Sequence, residues 1–451
     1  MEGHTSIRVL VLGGGFAGLN TAFQLSNWPW TRPVAITLVD RNDRFLFTPM
    51  AYELLTHEVE TWEIAPKYSE VLGQRSVNFV QGTVQAIDPT QRRVTVSGRP
   101  LDYDYLVIAL GGRPNFHGVE GAEQFSKPFY DLAHVQAFQK HVADTLDQAK
   151  QTADPARRAE LLNFLIVGGG TCGVEVSCKL SDQLNVEAQA RGLNREEMKI
   201  HLIDRNDRIL RGIAEKLEPI ARHDLERHKV NLILNAGVTK VTPQGVEIQR
   251  ESDGSRTRVN AATVTWTGGI EMHPVLKGLP VEKDHAGRIR VNERLEVAGF
   301  DTVFALGDAT YFPHGERRLP ATAQVAVRQS EIAAWNVRAK IEGLRPLPYI
   351  YIPLGEMLTL GVDSAGADVF GMQVGGSLGA AMRRVVYLTK LPTIGLKVRV
   401  SRPWTMEIAR HLYETAGRVG RAVNETLGPT VSAASRALAE QLAKGQSNAK
   451  S

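Results

Sequence analysis

Val11-Leu12-Gly13-Gly14-Gly15-Phe16-Ala17-Gly18 and Ile166-Val167-Gly168-Gly169-Gly170-Thr171-Cys172-Gly173 put glycines at matching positions in two loops 155 residues apart. Downstream of each, a second apolar run ends in one shared pentapeptide, Asp40-Arg41-Asn42-Asp43-Arg44 and Asp204-Arg205-Asn206-Asp207-Arg208. That pattern suits one kind of chemistry. Gly13 and Gly168 permit a tight turn, Gly15 and Gly170 let backbone approach a pyrophosphate, and Gly18 and Gly173 let a helix pack on a strand. The phosphates then lie at a helix N-terminus, where unpaired N–H groups and the dipole favour anions. Asp40 and Asp204 are placed to accept from adenosine ribose hydroxyls. At the second site the carboxylate repels a 2′-phosphate and favours NADH, whereas the neighbouring Arg205 could take that phosphate and leaves NADPH open. A lone loop of this kind can be an ordinary turn, and a strand-end Asp can simply cap one. Two copies in full strand–loop–helix–strand context point to two dinucleotides in one protein and to redox chemistry between them.

The elements that must position these loops form an α/β chain with two Rossmann-like dinucleotide-binding domains. Helices are expected over Leu19–Ser26 and Val174–Leu184. From last glycine to Asp the first copy takes 22 residues and the second 31, so the polar stretch Asn185–Glu197 reads as an insertion between helix and strand. Three further apolar runs close on glycine: Tyr105–Leu110 through Ala109 to Gly111, Thr263–Thr267 to Gly268 and Gly269, and Thr302–Leu306 to Gly307 and Asp308. Each delivers flexible backbone to a strand's carboxyl end, where open α/β sheets bind ligands. Asp154-Pro155 and the charged run Arg157–Glu160 mark a crossing between the domains, and Pro346 and Pro348 mark a later boundary.

Composition narrows the class. In 451 residues, 43% apolar and 23% charged content excludes wholesale disorder. The formal net charge of +4 is uneven, with nine Lys or Arg against two Glu between Gly376 and Arg421. Such asymmetry argues for a local acidic partner such as a lipid surface, not for nucleic acid. Cys172 and Cys178 are the only cysteines, so no disulfide framework, CxxC pair or metal site is expected, and a reducing compartment fits. The N-terminus passes at once into strand-like Ile7–Leu12, which leaves no room for a targeting peptide. No run of about 18 apolar residues suggests a membrane-spanning helix. Near the C-terminus, Pro403 is expected to start a helix with Trp404, Ile408 and Leu412 at spacing four beside Arg410 and His411. Before it, Leu378, Met382 and Val385 share a stripe beside Arg383 and Arg384. Such helices suit the interface of an anionic membrane; packing on the protein's own core or across a dimer is the alternative.

Asp308 after Ala305-Leu306-Gly307 would by itself be a cap or turn residue. With two glycine loops upstream, it resembles the second flavin-binding signature of the two-dinucleotide-domain flavoproteins, whose matching Asp holds the ribityl chain. That resemblance covers about Ile7 to Asn336. Disulfide reductases and sulfide:quinone reductases share the scaffold but need reactive cysteines near the flavin; Cys172 and Cys178 sit on the second loop and its helix, which disfavours thiol chemistry. Phe45–Leu55 resembles the loop after the second strand in type II NADH dehydrogenases, single-subunit flavoenzymes that reduce membrane quinones. Pro320–Gln329 is similar to their AQxAxQ quinone motif, with Gln324 at the first glutamine, Arg328 where the second is expected, and Gln329 one place later. Val59–Ser69 and Leu354–Gly361 resemble most the demethylphylloquinone reductase branch of cyanobacteria and plant plastids.

The resemblance implies FAD on the first loop (Gly13, Gly15, Phe16, Ala17, Gly18, Asp40, Arg41) together with Pro49, Ala109, Gly111, Gly307, Asp308 and Ala323. It implies NADH, with NADPH possible, on Gly168, Gly170, Gly173, Asp204, Gly268 and Gly269. It also implies a membrane quinone of naphthoquinone or plastoquinone type near Gln324 and Arg328. Hydride would pass from NADH to FAD and two electrons to the quinone, without proton pumping. Glu175, by position alone a carboxylate favoured at a helix start, matches the family glutamate that faces nicotinamide and flavin. The implied order is residues 1–130 and 286–345 for the flavin domain, 131–285 for the inserted nicotinamide domain, and 346–451 for a C-terminal membrane or dimer module. The protein would be peripheral, on a cytoplasmic, thylakoid or stromal surface, with a homodimer open. A soluble rubredoxin-type reductase and a non-catalytic flavin and NAD redox sensor are the alternatives.

Overall fold

The computed structural model describes residues 6–413 except Gln74, Ile213, 314–318, Phe370, Arg402, Glu407, Ile408, His411 and Leu412. The apolar run Ile7–Leu12 lies inside a six-stranded sheet ordered Glu296–Val297, Phe300–Ala305, Tyr105–Ile108, Ile7–Leu12, Val34–Asp40, Val77–Gln81. All neighbours are parallel except the first pair. Val11, Leu12, Leu38, Val107 and Ile108 are fully buried, as expected of strands in a parallel sheet covered on both faces. Register sets Leu12 beside both Val39 and Ile108, so three carboxyl ends come level where the first glycine loop begins.

The second sheet repeats the plan. Its five parallel strands run Val230–Ile233, Lys199–Ile203, Asn163–Val167, Thr263–Trp266, Lys127–Pro128. Val167 lies level with Ile203 and Trp266. In both sheets the loop strand has later strands on either side, so the loop opens at the switch point where such sheets bind ligands. The chain leaves the first sheet after Tyr105–Ile108, builds the second, and returns with the antiparallel pair Glu296–Val297 and Phe300–Ala305. An antiparallel pair, Gly112–Pro114 with Ile270–Met272, ties the outgoing and returning segments together.

The first-loop helix spans Phe16–Ser26 and the second-loop helix Thr171–Arg191. Asn185–Arg191 therefore corrects the expected insertion: it adds about two helical turns, supported by a Glu187–Arg191 pair at i,i+4. Gly192, in the left-handed region at φ 65°, ends it. Asp154 caps the short helix Pro155–Leu161, its side chain accepting from Ala156 N.

Beyond the Ala323–Glu342 helix, the chain forms an antiparallel sheet of Glu356–Thr359, Ala365–Val369 and Met372–Val374, followed by the C-terminal helix Gly376–Lys390. Helix and sheet meet so closely that a Cβ at Gly379 would lie 2.2 Å from the Ala365 carbonyl oxygen. Here the apolar stripe stays exposed, as an interfacial face would, and it is the flanking arginines that depart from expectation. Leu378 and Val385 are 47% and 50% exposed, while Arg383 and Arg384 are each 4% exposed. The arginines turn inward because the loop after the second strand supplies Glu53 and Glu58 as partners. Trp404 is likewise buried, its Nε1 donating to Glu63 at 3.1 Å. Helical conformation holds over residues 394–401, ahead of Pro403, and again over 403–406; Arg402, Ile408, His411 and Leu412 lie outside the described residues. Among the described residues, no helix is long and apolar enough to cross a membrane.

Candidate functional site

The two glycine loops close by the same hydrogen bonds. Asp40 accepts from Gly14 N at 2.6 Å and Asn42 N at 2.8 Å. Asp204 accepts from Gly169 N at 2.5 Å and Asn206 N at 2.7 Å. Each strand-end carboxylate thus fastens its own loop; Asp204 Oδ1 also accepts from Asn206 Nδ2 at 2.8 Å, which leaves Oδ2 with a lone pair for a ribose. Burial pushes the Asp40 carboxyl up while the Asn42 and Gly14 amides pull it down. The third glycine does more than let helix meet strand: a Cβ at Gly18 or Gly173 would lie 1.8 Å from the carbonyl oxygen of Gly13 or Gly168. In contrast, a Cβ on Gly15 or Gly170 would meet nothing within 4 Å. Both helices start at these glycines without a side-chain cap. Their first-turn N–H groups therefore face space with no protein acceptor from a capping side chain, and a pyrophosphate fits that cradle.

Around the first loop, Gly13 (φ 94°) is pressed against backbone, with its Cβ direction 2.4 Å from Ala109 O. Phe16 packs edge-on to Phe45 and Phe47, and Ala17 is buried. Arg41 reaches Asp131 at 3.1 Å, spanning from the first sheet to the segment that enters the second. Gly111 and Gly307 both have positive φ. Asp308, which burial pushes up and Arg288 pulls down, lines a 200 Å³ cavity with Gly307, Tyr311 and Gln329. At the second loop, Gly268 O accepts from His117 Nε2 at 2.6 Å, and Gly269 holds φ 112°.

Glu175 sits one helical step inside the second loop and is 5% exposed. Burial pushes its carboxyl up to about 7, against the pull of Arg383, the Thr359 N–H and the Tyr52 hydroxyl. Thr359 N donates to Glu175 Oε1 at 3.0 Å, so the C-terminal sheet touches the second-loop helix at this carboxylate. Tyr52 hydrogen-bonds to Glu175 and lies flat on Phe129, ring centres 5.3 Å apart. Around them stand Glu53 with Arg383, and Glu58 with Lys179 and Arg384. Burial pushes the Cys172 thiol up to about 12 and raises Cys178 as well, which leaves little thiolate for nucleophilic chemistry.

In the Ala323–Glu342 helix, Ala323 is the first residue, behind the Thr322 cap. Gln324 and Arg328, four apart, share a face, with Gln324 half-buried and Arg328 exposed and paired to Glu331 at 3.2 Å. Gln329 points elsewhere. It is 1% exposed, and its Oε1 accepts from Gly307 N at 2.7 Å. Gln329 braces the Gly307-Asp308 turn and does not share the exposed face of Arg328. Pro49 brings its carbonyl to Arg383 Nη2. Sequence reasoning missed Gln329's bracing role, the Glu53–Arg383 pair, and Tyr68, whose buried hydroxyl donates to Gly14 O at 2.8 Å. The motif around Gln329 was visible, but nothing in spacing links residues 53 and 383.

Residues 7–330 match the pyridine nucleotide-disulphide oxidoreductase family. The demethylphylloquinone reductase NdbB of Synechocystis sp. is 35% identical over 406 residues, spanning 88% of this chain and 95% of that protein. The alternative NAD(P)H-ubiquinone oxidoreductase C1, chloroplastic/mitochondrial, of Arabidopsis thaliana is 31% identical, spanning 88% of this chain and 80% of its own. In shape, NDH2 of Plasmodium falciparum, solved in complex with NADH, superimposes with a TM-score of 0.80 over 90% of this chain and 98% of that one; at 16% identity this speaks for the fold alone. Matched through both glycine loops and nearly end to end by quinone reductases, this chain belongs to the pyridine nucleotide-disulphide oxidoreductase family and, within it, to the type II NAD(P)H:quinone oxidoreductases.

Proposed function

We propose that this chain prefers NADH and serves a membrane naphthoquinone, with demethylphylloquinone the first candidate from its similarity to NdbB. The observation that carries this reading is the paired, uncapped glycine-loop helices, each locked by its own strand-end Asp. FAD, when bound, supplies an acceptor for hydride and a donor of two electrons to quinone. The protein's share is placement. Gly13, Gly15 and Gly18 hold one pyrophosphate, Asp40 its ribose, and Asp308 the ribityl chain, on a turn braced by Gln329. Gly168, Gly170, Gly173 and Asp204 do the same for NADH. Arg205, exposed next to Asp204, leaves room for NADPH at lower affinity.

Gln324 and Arg328 offer quinone contacts on one helix face. Glu175, half-protonated near neutrality, takes up and releases the proton that quinone reduction consumes. Peripheral membrane contact runs through the exposed stripe of Leu378 and Val385 and not through the buried Arg383 and Arg384. The test is anaerobic. The purified flavoprotein is mixed with NADH or NADPH, bleaching is followed, and naphthoquinones and benzoquinones are then added separately. Fast bleaching by NADH and recolouring by naphthoquinone is expected; fast bleaching that no quinone reverses refutes the reading.

A further inference from the structure

Three elements distant in sequence bury six charged side chains together. The loop after the second strand brings Glu53 and Glu58, the second-loop helix brings Glu175 and Lys179, and the C-terminal helix brings Arg383 and Arg384. They do not mix freely. Glu58 accepts from Lys179, from Arg384 at 3.3 Å, and from Thr56. Arg383 commits both terminal nitrogens to one loop, Nη1 to Glu53 Oε1 and Nη2 to the Pro49 carbonyl. Its guanidinium also lies 4.6 Å from the Tyr387 ring centre. Arg383 Nε has no hydrogen-bond partner among the described residues.

Glu175 faces Tyr52 and Glu53 from that loop, Cys172 on its own helix, Arg383 and Tyr387 from the C-terminal helix, and the Thr359 amide. Among the described residues, its carboxylate accepts hydrogen bonds from neutral donors, Thr359 N–H and Tyr52 O–H. The nearby cation is held by a different carboxylate. We propose that Glu53 is a positioning residue that engages Arg383, keeps it from pairing with Glu175, and so leaves Glu175 free for proton exchange. The proposal rests on the reading of Glu175 as proton carrier. A cation that paired directly with Glu175 would hold it ionised and end that exchange.

The experiment uses the full-length, FAD-loaded protein and follows the infrared carboxylic-acid C=O band of Glu175, identified by its loss in Glu175→Gln. In Glu53→Gln, Arg383 is released toward Glu175 and the like charge of Glu53, which raises Glu175, is lost as well; Glu53→Asp keeps that charge and so reads the release of Arg383 by itself. The band's titration midpoint is expected to fall by at least one pH unit, a tenfold drop in the protonated-to-ionised ratio at fixed pH. The pH profile of quinone reduction should move with it. In Glu53→Gln with Arg383→Gln, the midpoint should return to or above the wild-type value. An unmoved midpoint in Glu53→Gln overturns the proposal, as does an equal fall in the double variant. Should Glu53→Gln fail to fold, Glu53→Asp, one methylene shorter, loosens the same clamp and shifts the midpoint in the same direction by less. Full turnover in Glu175→Gln sinks the proton-carrier reading alone, because the infrared titration still decides what Glu53 does.

Discussion

Replacing Glu175 by Gln should stabilise the protein at alkaline pH. Its carboxyl titrates near 4.5 when solvated and about 7 in the fold, where burial outweighs the pull of Arg383 and Thr359 N–H. Between those values the native state binds a proton that the unfolded chain has released, so stability falls as pH rises. The contribution is whole below pH 4.5 and lost above about 7. At about 1.4 kcal/mol per unit, the span amounts to about 3 kcal/mol. Gln carries no charge to desolvate and keeps its contribution at every pH. Thermal unfolding of wild type and Glu175→Gln, both saturated with FAD, should therefore diverge between pH 5 and pH 8. With about 1 °C in Tm per kcal/mol for a chain of this length, the variant should gain about 3 °C over that range. A difference between the two proteins that stays constant from pH 5 to 8 would show that burial does not raise this carboxyl.

The two glycine loops should fail separately. Gly18→Ala drives a Cβ to 1.8 Å from Gly13 O and should strip flavin from the purified protein, read as the flavin-to-protein absorbance ratio. Gly173→Ala makes the same clash with Gly168 O and should raise KM for NADH more than tenfold with flavin retained; flavin loss from both variants equally would mean that the sites are not assigned as proposed. Gln329→Leu removes the acceptor for Gly307 N and should cost about 1–3 kcal/mol, seen as faster FAD release, whereas Arg328→Gln breaks an exposed pair and should change stability by less than about 1 kcal/mol. Replacing Leu378 and Val385 by Asp, both half-exposed, should weaken binding to anionic vesicles about tenfold or more; unchanged binding removes that stripe from the membrane surface.

Much of the architecture was legible because its signals are local. The glycines, the Val and Ile runs and the strand-end Asp lie within one strand–loop–helix unit, and a parallel strand buried on both faces has few compositions open to it. Fastening of Gly14 by Asp40 and of Gly169 by Asp204 follows from those short-range constraints. The helix through Asn185–Arg191 was obscured because its polar residues give no core stripe, yet an i,i+4 ion pair and a terminal glycine sustain it. At the C-terminus a stripe of Leu378, Met382 and Val385 beside two arginines was correctly seen as amphipathic. Which face turned inward was not in the pattern, since an arginine buries readily once a carboxylate awaits it and is ruinous to bury without one.

The sequence by itself determined the two dinucleotide cradles, the α/β class and the helix that carries Gln324 and Arg328, because each is encoded in contiguous residues whose backbone requirements few side chains satisfy. Only the tertiary structure decided that Gln329 braces the Gly307 turn, that Trp404 is core, and that Glu53, 330 residues from Arg383, takes that cation while Glu175 remains with neutral donors. Pairing among buried charges depends on distances across elements remote in the chain, and no spacing along one segment carries that information.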